Sequence, residues 1–285
     1  MTGPQVRAFF DEPTNTVSYL VWDRASKRAA IIDSVLDFDV RSGRTGTHSA
    51  EAILAAAREE GLSIDWLLET HAHADHISAA PFLKQRTGAP IVIGEHIRQV
   101  QQVFKDVFNL GYVTADGRPF DKLVAEGETL PLGALKIEVL HTPGHTPACV
   151  SYVIGDAVFV GDTLFMPDYG TARADFPGGD ARTLWRSIQK LLALPDATRV
   201  FVCHDYKAAG RDAYAWETTI SAERKNVHLD GKSEDEFVAM REARDKTLSM
   251  PTLILPSIQV NIQAGELPPA EDNGVRYLKL PIDAL

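Results

Sequence analysis

One short segment restricts the possible folds of this chain more than any other. It places His71, His73 and His76, with Asp75 between them, within six residues, directly after the apolar run at 64–68. These three are a third of the nine histidines in the 285-residue chain. Crowded imidazole rings contribute little to a hydrophobic core, whereas imidazole is a common metal ligand. The segment therefore predicts a loop at a strand end whose side chains surround a cation.

Three further side chains of the ligand type follow predicted strands in the same way. They are His145 after the run at 135–140, Asp162 after 157–160, and His204 after 199–203. Functional sites are commonly built on loops that a rigid scaffold holds in place. We therefore predict that four strand ends converge on one metal centre.

Short apolar runs alternate with amphipathic helical patterns along the chain. The predicted strands are 16–22, 29–32, 64–68, 91–93, 135–140, 148–154, 157–160 and 199–203. The predicted helices, from apolar spacing or a capping box, are 50–57, 184–192 and 233–246. Since the strands pair locally and helices lie between them, we predict an αββα sandwich of two mixed β-sheets flanked by helices, of the α/β (α+β) class.

We expect a single domain over residues 1–285, with its core at about 5–227. The segment 101–123 carries aromatic and turn residues without clear periodicity, which predicts an insertion or a lid. Residues 228–285 predict a helix followed by an extended tail packed on the core, because five prolines follow residue 250.

Composition excludes several classes of function. The net charge is −10 and no long basic run is present, so neither a nucleic acid nor an anionic membrane surface is an expected partner. No apolar run approaches the roughly 20 residues that span a bilayer. The two cysteines, Cys149 and Cys203, form no disulfide framework and are expected to be small buried apolar side chains. We expect a cytoplasmic enzyme.

The donor types limit the metal without identifying it. Nitrogen and carboxylate ligands suit zinc, iron or manganese. Seven candidate ligands could hold two zinc ions bridged by Asp162, which would generate hydroxide for hydrolysis. Two histidines and one carboxylate could instead hold a single iron and leave positions open for a substrate and O₂. Spacing alone leaves both arrangements open.

Four of these segments resemble the metallo-β-lactamase superfamily over about residues 16–225. They are THAHADH, HTPGHT, GDTLF and CHDY. Within that superfamily, YGTARADFPGGD at 169–180 is similar to the Arg-x-Asp-Phe segment of the persulfide dioxygenases. The tail ILPSIQVNIQAGELPP and the 101–123 segment resemble a bacterial branch called β-lactamase hydrolase-like proteins, which are associated with sulfide detoxification.

The resemblance implies one Fe(II) per chain, bound by His71, His145 and Asp162. It implies that four other side chains lie around the iron without binding it, although dizinc hydrolases of the superfamily use them as ligands: His73, Asp75, His76 and His204. Glutathione persulfide and O₂ would be the substrates, and sulfite and glutathione the products. Members of the family form homodimers, so the resemblance also implies a homodimer.

The resemblance also gives roles to two residues near the metal. Arg173 would contact a glutathione carboxylate, with an internal ion pair to Asp175 or Asp180 as the alternative, and the Tyr206 hydroxyl would lie at the catalytic pocket. A hydrolase of glutathione thioesters with two zinc ions, of the glyoxalase II kind, is the alternative function. A sensor of persulfide or metal without turnover is a further alternative.

Overall fold

Fifteen strands and seven helices form the part of the chain that the computed structural model describes, residues 3–283. The strands are β1 (Gln5–Asp11), β2 (Thr16–Trp22), β3 (Arg28–Ile32), β4 (Val35–Asp39), β5 (Arg44–Gly46), β6 (Ser63–Leu68), β7 (Ile77–Ser78), β8 (Ile91–Gly94), β9 (Lys122–Val124), β10 (Thr129–Leu132), β11 (Leu135–His141), β12 (Val150–Ile154), β13 (Ala157–Phe159), β14 (Arg199–Phe201) and β15 (Glu217–Thr219). The helices are α1 (His48–Glu59), α2 (Ala80–Thr87), α3 (Ile97–Val107), α4 (Ala181–Leu192), α5 (Ile220–Glu223), α6 (Glu234–Asp245) and α7 (Ile254–Asn261).

Two mixed sheets of six strands lie at the centre. The first has the order β1-β2-β3-β6-β8-β9 and is antiparallel at β1–β3 and parallel from β3 onward. The second has the order β10-β11-β12-β13-β14-β15, in which only the β13–β14 pair is parallel. A small sheet, β5-β4-β7, adjoins them. The predicted strands are all present.

The sheets pack face to face and are covered by helices on their outer faces. Alternate residues of β2 point to opposite sides of the sheet. Because both sides are covered, every side chain of β2 is buried. Tyr19 enters the cluster between the sheets together with Tyr152 and Phe159, whereas Leu20 enters the cluster under α1 and α3. A third cluster joins the second sheet to α4 and α6. The αββα architecture is confirmed.

Local sequence signals account for the helices that carry this packing. Asp180 caps α4, since its side chain accepts a hydrogen bond from the Thr183 amide, and Leu184, Ile188 and Leu191 form the buried face of the helix. The predicted capping box at Ser233 begins α6.

Two predictions about irregular segments were wrong in part. The segment 101–123 begins inside helix α3, whose apolar face starts earlier, at Ile97 and Val100. It packs on the cluster beneath the first sheet, and its action as a lid remains a prediction. The tail is helical at Ile254–Asn261 rather than extended. Pro256 lies in the first turn of this helix, where the missing amide proton costs no helical hydrogen bond.

No helix within residues 3–283 combines the length and the apolar character that crossing a membrane requires.

Candidate metal centre

The four predicted strand ends converge at one edge of the sandwich. The segment after β6 carries His71, and the loops after β11, β13 and β14 carry His145, Asp162 and His204. His71, His145 and Asp162 each offer a ligand-type atom, and these three atoms lie within 4.8 Å of one another. We call these three residues the inner trio. Their proximity is what a single cation requires.

Hydrogen bonds to uncharged groups orient the two histidines of the inner trio. His145 Nδ1 lies 2.8 Å from the Arg173 carbonyl, which can only accept, so Nδ1 donates and Nε2 keeps its lone pair. That Nε2 is 3.6 Å from Asp162 Oδ2. His71 Nδ1 is 3.0 Å from the Thr70 hydroxyl. Both rings thus present Nε2 toward the centre.

A tight contact with helix α4 fixes the turn that delivers His145. Gly144 has φ +136°, and a Cβ there would overlap the backbone of Leu184. The Pro143 carbonyl accepts a hydrogen bond from Ser187 Oγ (2.6 Å), and the Gly144 carbonyl accepts one from the Asp180 amide (2.9 Å). Only glycine fits this position, so the sequence PGH specifies where His145 can lie.

The remaining predicted side chains lie beside the inner trio and are linked to carboxylates. We call them the carboxylate-linked set: His73, Asp75, His76 and His204. His73 Nε2 is 3.0 Å from Asp33 Oδ1 and 3.3 Å from Glu69 Oε2. His76 Nδ1 is 3.1 Å from Asp75 Oδ2, and His204 Nε2 is 3.2 Å from Asp162 Oδ1. All seven predicted side chains thus lie in one region of the structure, and their roles at a metal remain a prediction.

The donor atoms at the centre fit a metal ion. Within residues 3–283, five buried polar atoms here make no hydrogen bond, although the last two lie 3.2 Å apart as an ion pair: His71 Nε2, His73 Nδ1, His76 Nε2, His204 Nε2 and Asp162 Oδ1. An unpaired buried polar atom costs about 1–3 kcal/mol, so the three ring nitrogens of His71, His73 and His76 are costly unless a ligand satisfies them. The histidine and aspartate cluster therefore supports a metal cofactor. Because the unpaired atoms belong to both groups, geometry permits one ion or two.

Burial and neighbouring charges separate the protonation behaviour of the two groups. Burial lowers the pKa of His71 well below its ordinary value, and the neighbouring His73 lowers it further. Burial also lowers the pKa of His73, but its contacts with Asp33, Cys203 and Glu69 together outweigh burial and raise that pKa well above the ordinary value. Burial raises the pKa of Asp162, yet His204, His145 and His71 together hold it below the ordinary value. Asp162 is therefore an ionised carboxylate.

Asp33 is a residue of the site that sequence reasoning missed. Its backbone is left-handed (φ +51°), a conformation that is uncommon for a residue other than glycine. Its buried carboxylate accepts hydrogen bonds from the Thr70 amide and hydroxyl, both at 2.8 Å, and contacts His73. The available signal was the buried run AAIID, the same strand-then-aspartate pattern that ends at Asp162. Cys203 is buried as expected and lies beside His73 and His204.

A cavity of about 570 Å³ opens over His145 and Asp162 of the inner trio. Its wall includes aromatic side chains, exposed arginines and a segment of the tail: Phe165, Tyr169, Phe176, Tyr206, Arg41, Arg244 and residues 248–253. Tyr206 lies parallel to His204, with ring centroids 5.7 Å apart, and is 41% exposed. The predicted position of Tyr206 at the pocket thus agrees with the geometry.

Arg173 lines the same cavity, but its guanidinium is held by other groups. Nε and Nη2 form a bidentate pair with Asp175 at 2.6 and 2.8 Å, and Nη1 donates to the Ser249 carbonyl at 2.8 Å. The guanidinium also lies over the Phe176 ring. This geometry favours the internal ion pair, and contact with a substrate carboxylate remains a prediction.

Comparison with known proteins gives the fold and the centre a family context. The family model described as "Metallo-beta-lactamase superfamily" matches residues 11–204. A probable metallo-hydrolase of Burkholderia pseudomallei is 57% identical over 98% of this chain and 99% of that protein. A β-lactamase hydrolase-like protein of Xylella fastidiosa is 54% identical over 99% of this chain, which spans only 65% of that relative.

Other relatives carry the names of two different enzymes. Glyoxylase B2 of Dictyostelium discoideum is 48% identical over 99% of this chain and 98% of that protein. The human mitochondrial persulfide dioxygenase ETHE1 is 31% identical over 70% of this chain and 68% of that protein. The crystal structure of ETHE1 from Myxococcus xanthus superposes with a TM-score of 0.74, at 32% identity, covering 92% of this chain and 100% of that one.

Proposed function

Taking as premise that the chain belongs to the metallo-β-lactamase superfamily, we propose that it is a mononuclear Fe(II) persulfide dioxygenase acting on glutathione persulfide. The inner trio carries the proposal, because two histidines and one carboxylate within 4.8 Å are the ligand type of non-haem iron oxygenases. The relatives named persulfide dioxygenase support the substrate class.

His71, His145 and Asp162 would hold the iron, and the protein's part is to keep them in place. When bound, a ferrous ion with three protein ligands supplies open coordination positions and redox chemistry for sulfur and O₂. The Arg173 carbonyl and the Thr70 hydroxyl hold the two imidazoles with Nε2 inward. In the overall reaction one persulfide, one O₂ and one water give one thiol, one sulfite and protons.

The cavity suits a thiol with a charged peptide part. A volume of about 570 Å³ lies within the usual range for small-molecule sites, about 300–1,000 Å³. The rings of Phe165, Tyr169 and Tyr206 pack against one another and form an aromatic part of the cavity wall. Arg41 and Arg244 are exposed in the cavity wall, and a guanidinium matches a carboxylate. We assign substrate carboxylates to this pair, and a contact of Arg173 with the substrate stays a prediction.

The experiment that tests this function measures O₂ uptake with glutathione persulfide. The protein is purified anaerobically and loaded with one equivalent of Fe(II), and the metal-free protein serves as the control. We expect O₂ consumption and sulfite release in equal amounts, with His145→Ala as an inactive matched variant. Uptake no higher than that of the metal-free control would end the proposal.

A hydrolase with two zinc ions, acting on glutathione thioesters, is the second candidate. It is favoured by the relative named Glyoxylase B2 and by the unpaired ring nitrogens of His73, His76 and His204. Elemental analysis of protein purified without added metal separates the two candidates. Iron near one per chain supports the dioxygenase, and zinc near two per chain with thioester hydrolysis supports the hydrolase.

A further inference from the structure

The C-terminal helix α7 packs against the segment that carries most of the metal-ligand candidates. We call that segment, residues 69–78, the metal loop. Ile254 at the start of α7 packs with Ala74 of the metal loop and with Phe176 in a small apolar cluster. Ile258 joins the large cluster beneath the first sheet. The helix is thus fixed to the core on one side and faces the metal loop on the other.

Asn261, the last residue of α7, makes three hydrogen bonds to the backbone of the metal loop. Its Nδ2 donates to the carbonyls of His73 (2.8 Å) and His76 (2.7 Å), and its Oδ1 accepts from the Ser78 amide (2.9 Å). The side chain is only 3% exposed. Since two carbonyls can only accept and an amide can only donate, the orientation of the Asn261 amide is unambiguous.

These three bonds fix the path of the metal loop where it has no ladder of its own. Between β6 and the short β7, residues 69–76 form bends without strand pairing. The carbonyls of His73 and His76 therefore depend on a side-chain donor, because a buried backbone group without a partner is costly. Holding both carbonyls on one amide sets the path of the backbone that carries His73, Asp75 and His76, and with it the start of the loop where the proposed ligand His71 lies two residues before His73.

We propose that Asn261 is a positioning residue of the metal centre, so that helix α7 is a working part of the site. The inference rests on metal binding in the proposed function: with one ion Asn261 acts through His71, and with two ions it also acts through His73, Asp75 and His76. Outer groups that hold metal-binding segments in place commonly contribute about tenfold to 100-fold in metal affinity. The chain before the helix supports this role, since residues 248–253 line the cavity and the Ser249 carbonyl binds Arg173.

The test is a titration of metal-free protein with Co(II), followed by its visible absorption. Asn261→Asp keeps the shape of the side chain but replaces its two donors with an oxygen that faces two carbonyls. We expect the dissociation constant for Co(II) to rise by about tenfold to 100-fold, together with a changed absorption spectrum. Circular dichroism and Tm report whether the variant is folded. If Asn261→Asp does not fold, the milder Asn261→Ser decides by the same two readouts.

Gln259 provides a matched control in the same helix. Its amide is equally buried, but it donates to the carbonyls of Leu255 and Lys279 and accepts from the Lys279 amide, away from the metal loop. Gln259→Glu is expected to lower Tm and to leave the Co(II) spectrum and affinity unchanged. A folded Asn261 variant with the native spectrum and affinity, or an equal change in Gln259→Glu, overturns the inference. If the native protein itself binds no Co(II), the proposed metal function fails instead.

Discussion

The inner trio and the carboxylate-linked set occupy one pocket but are held by different kinds of partner. His71 and His145 donate to or contact uncharged groups, the Thr70 hydroxyl and the Arg173 carbonyl. His73 contacts the carboxylates of Asp33 and Glu69, and His204 contacts those of Asp75 and Asp162. Burial lowers the pKa of His71 and favours its neutral ring with a free lone pair, whereas the carboxylates beside His73 and His204 raise the pKa of those two rings.

Under the proposed function, this difference corresponds to two separate roles. The inner trio would bind the cation, and the carboxylate-linked set would hold protons and charge around it. Carboxylate partners also raise the basicity of histidines that bind metal, so the number of ions at the centre is the decisive test of the comparison.

Removing a member of the inner trio has the largest expected effect. His145→Ala and Asp162→Ala each delete one of three proposed anchors, so we expect iron affinity to fall by more than the roughly 10–100-fold typical of outer partners. Elemental analysis of iron per chain is the measurement, with Tm as the control for folding. Full iron occupancy in either variant would show that the ligand assignment is wrong.

Removing a member of the carboxylate-linked set is expected to have a smaller effect on the metal. His76→Ala leaves the inner trio intact, and we expect about one iron per chain to remain, as in the unaltered protein. In a centre with two ions, the same variant would lose one of them. Metal counts on the two proteins, purified side by side, therefore test whether the two groups are separate in function.

The smallest expected effect on the metal centre comes from changing Glu223, a buried carboxyl group outside it whose hydrogen-bond partner is an amide. Burial raises the pKa of Glu223 from 4.5 to about 8, and its hydrogen-bond partner is Asn226. Between these values the folded protein keeps a proton that the unfolded chain has lost, so stability falls as pH rises, by at most about 1.4 kcal/mol per pH unit. Glu223→Gln is expected to flatten this dependence and to be more stable than the parent near pH 8.

Urea unfolding across that pH range is the measurement for Glu223→Gln. A parent protein whose free energy of unfolding is constant between about pH 5 and about pH 8 would contradict the assignment. Glu223 differs in this respect from Asp162. Both carboxyl groups are buried, but the histidines around Asp162 lower its pKa, whereas the pKa of Glu223 stays raised.

The sequence predicted the scaffold because its signals are local. Apolar runs specify the strands, and a ligand-type side chain after a strand specifies a position at the sheet edge, as for His145 and Asp162. The roles of Asp33 and Asn261 depend on contacts 40 and 188 residues away in sequence, which no local pattern records. Asp33 also depends on a left-handed backbone that its residue type does not require.

The errors in secondary structure have similar physical causes. Pro256 suggested an extended tail, but its position in the first turn makes it compatible with helix α7. The apolar face of α3 begins at Ile97. The residues from 101 onward contain only part of this face, so they do not display its helical periodicity. For Arg173, the structure has the internal ion pair with Asp175 that is the alternative sequence prediction, and contact with a ligand stays a prediction.

The contact between Gly144 and helix α4 means that His145 and the helix move together. The outer face of α4 is tied in turn to α6, where Arg182 pairs with Glu234 and Asp235. A tilt of this helix pair, imposed at the protein surface, would be transmitted through a rigid turn to an imidazole in the pocket. The position of His145 therefore depends on the packing of the α4–α6 layer as well as on the sheet edge.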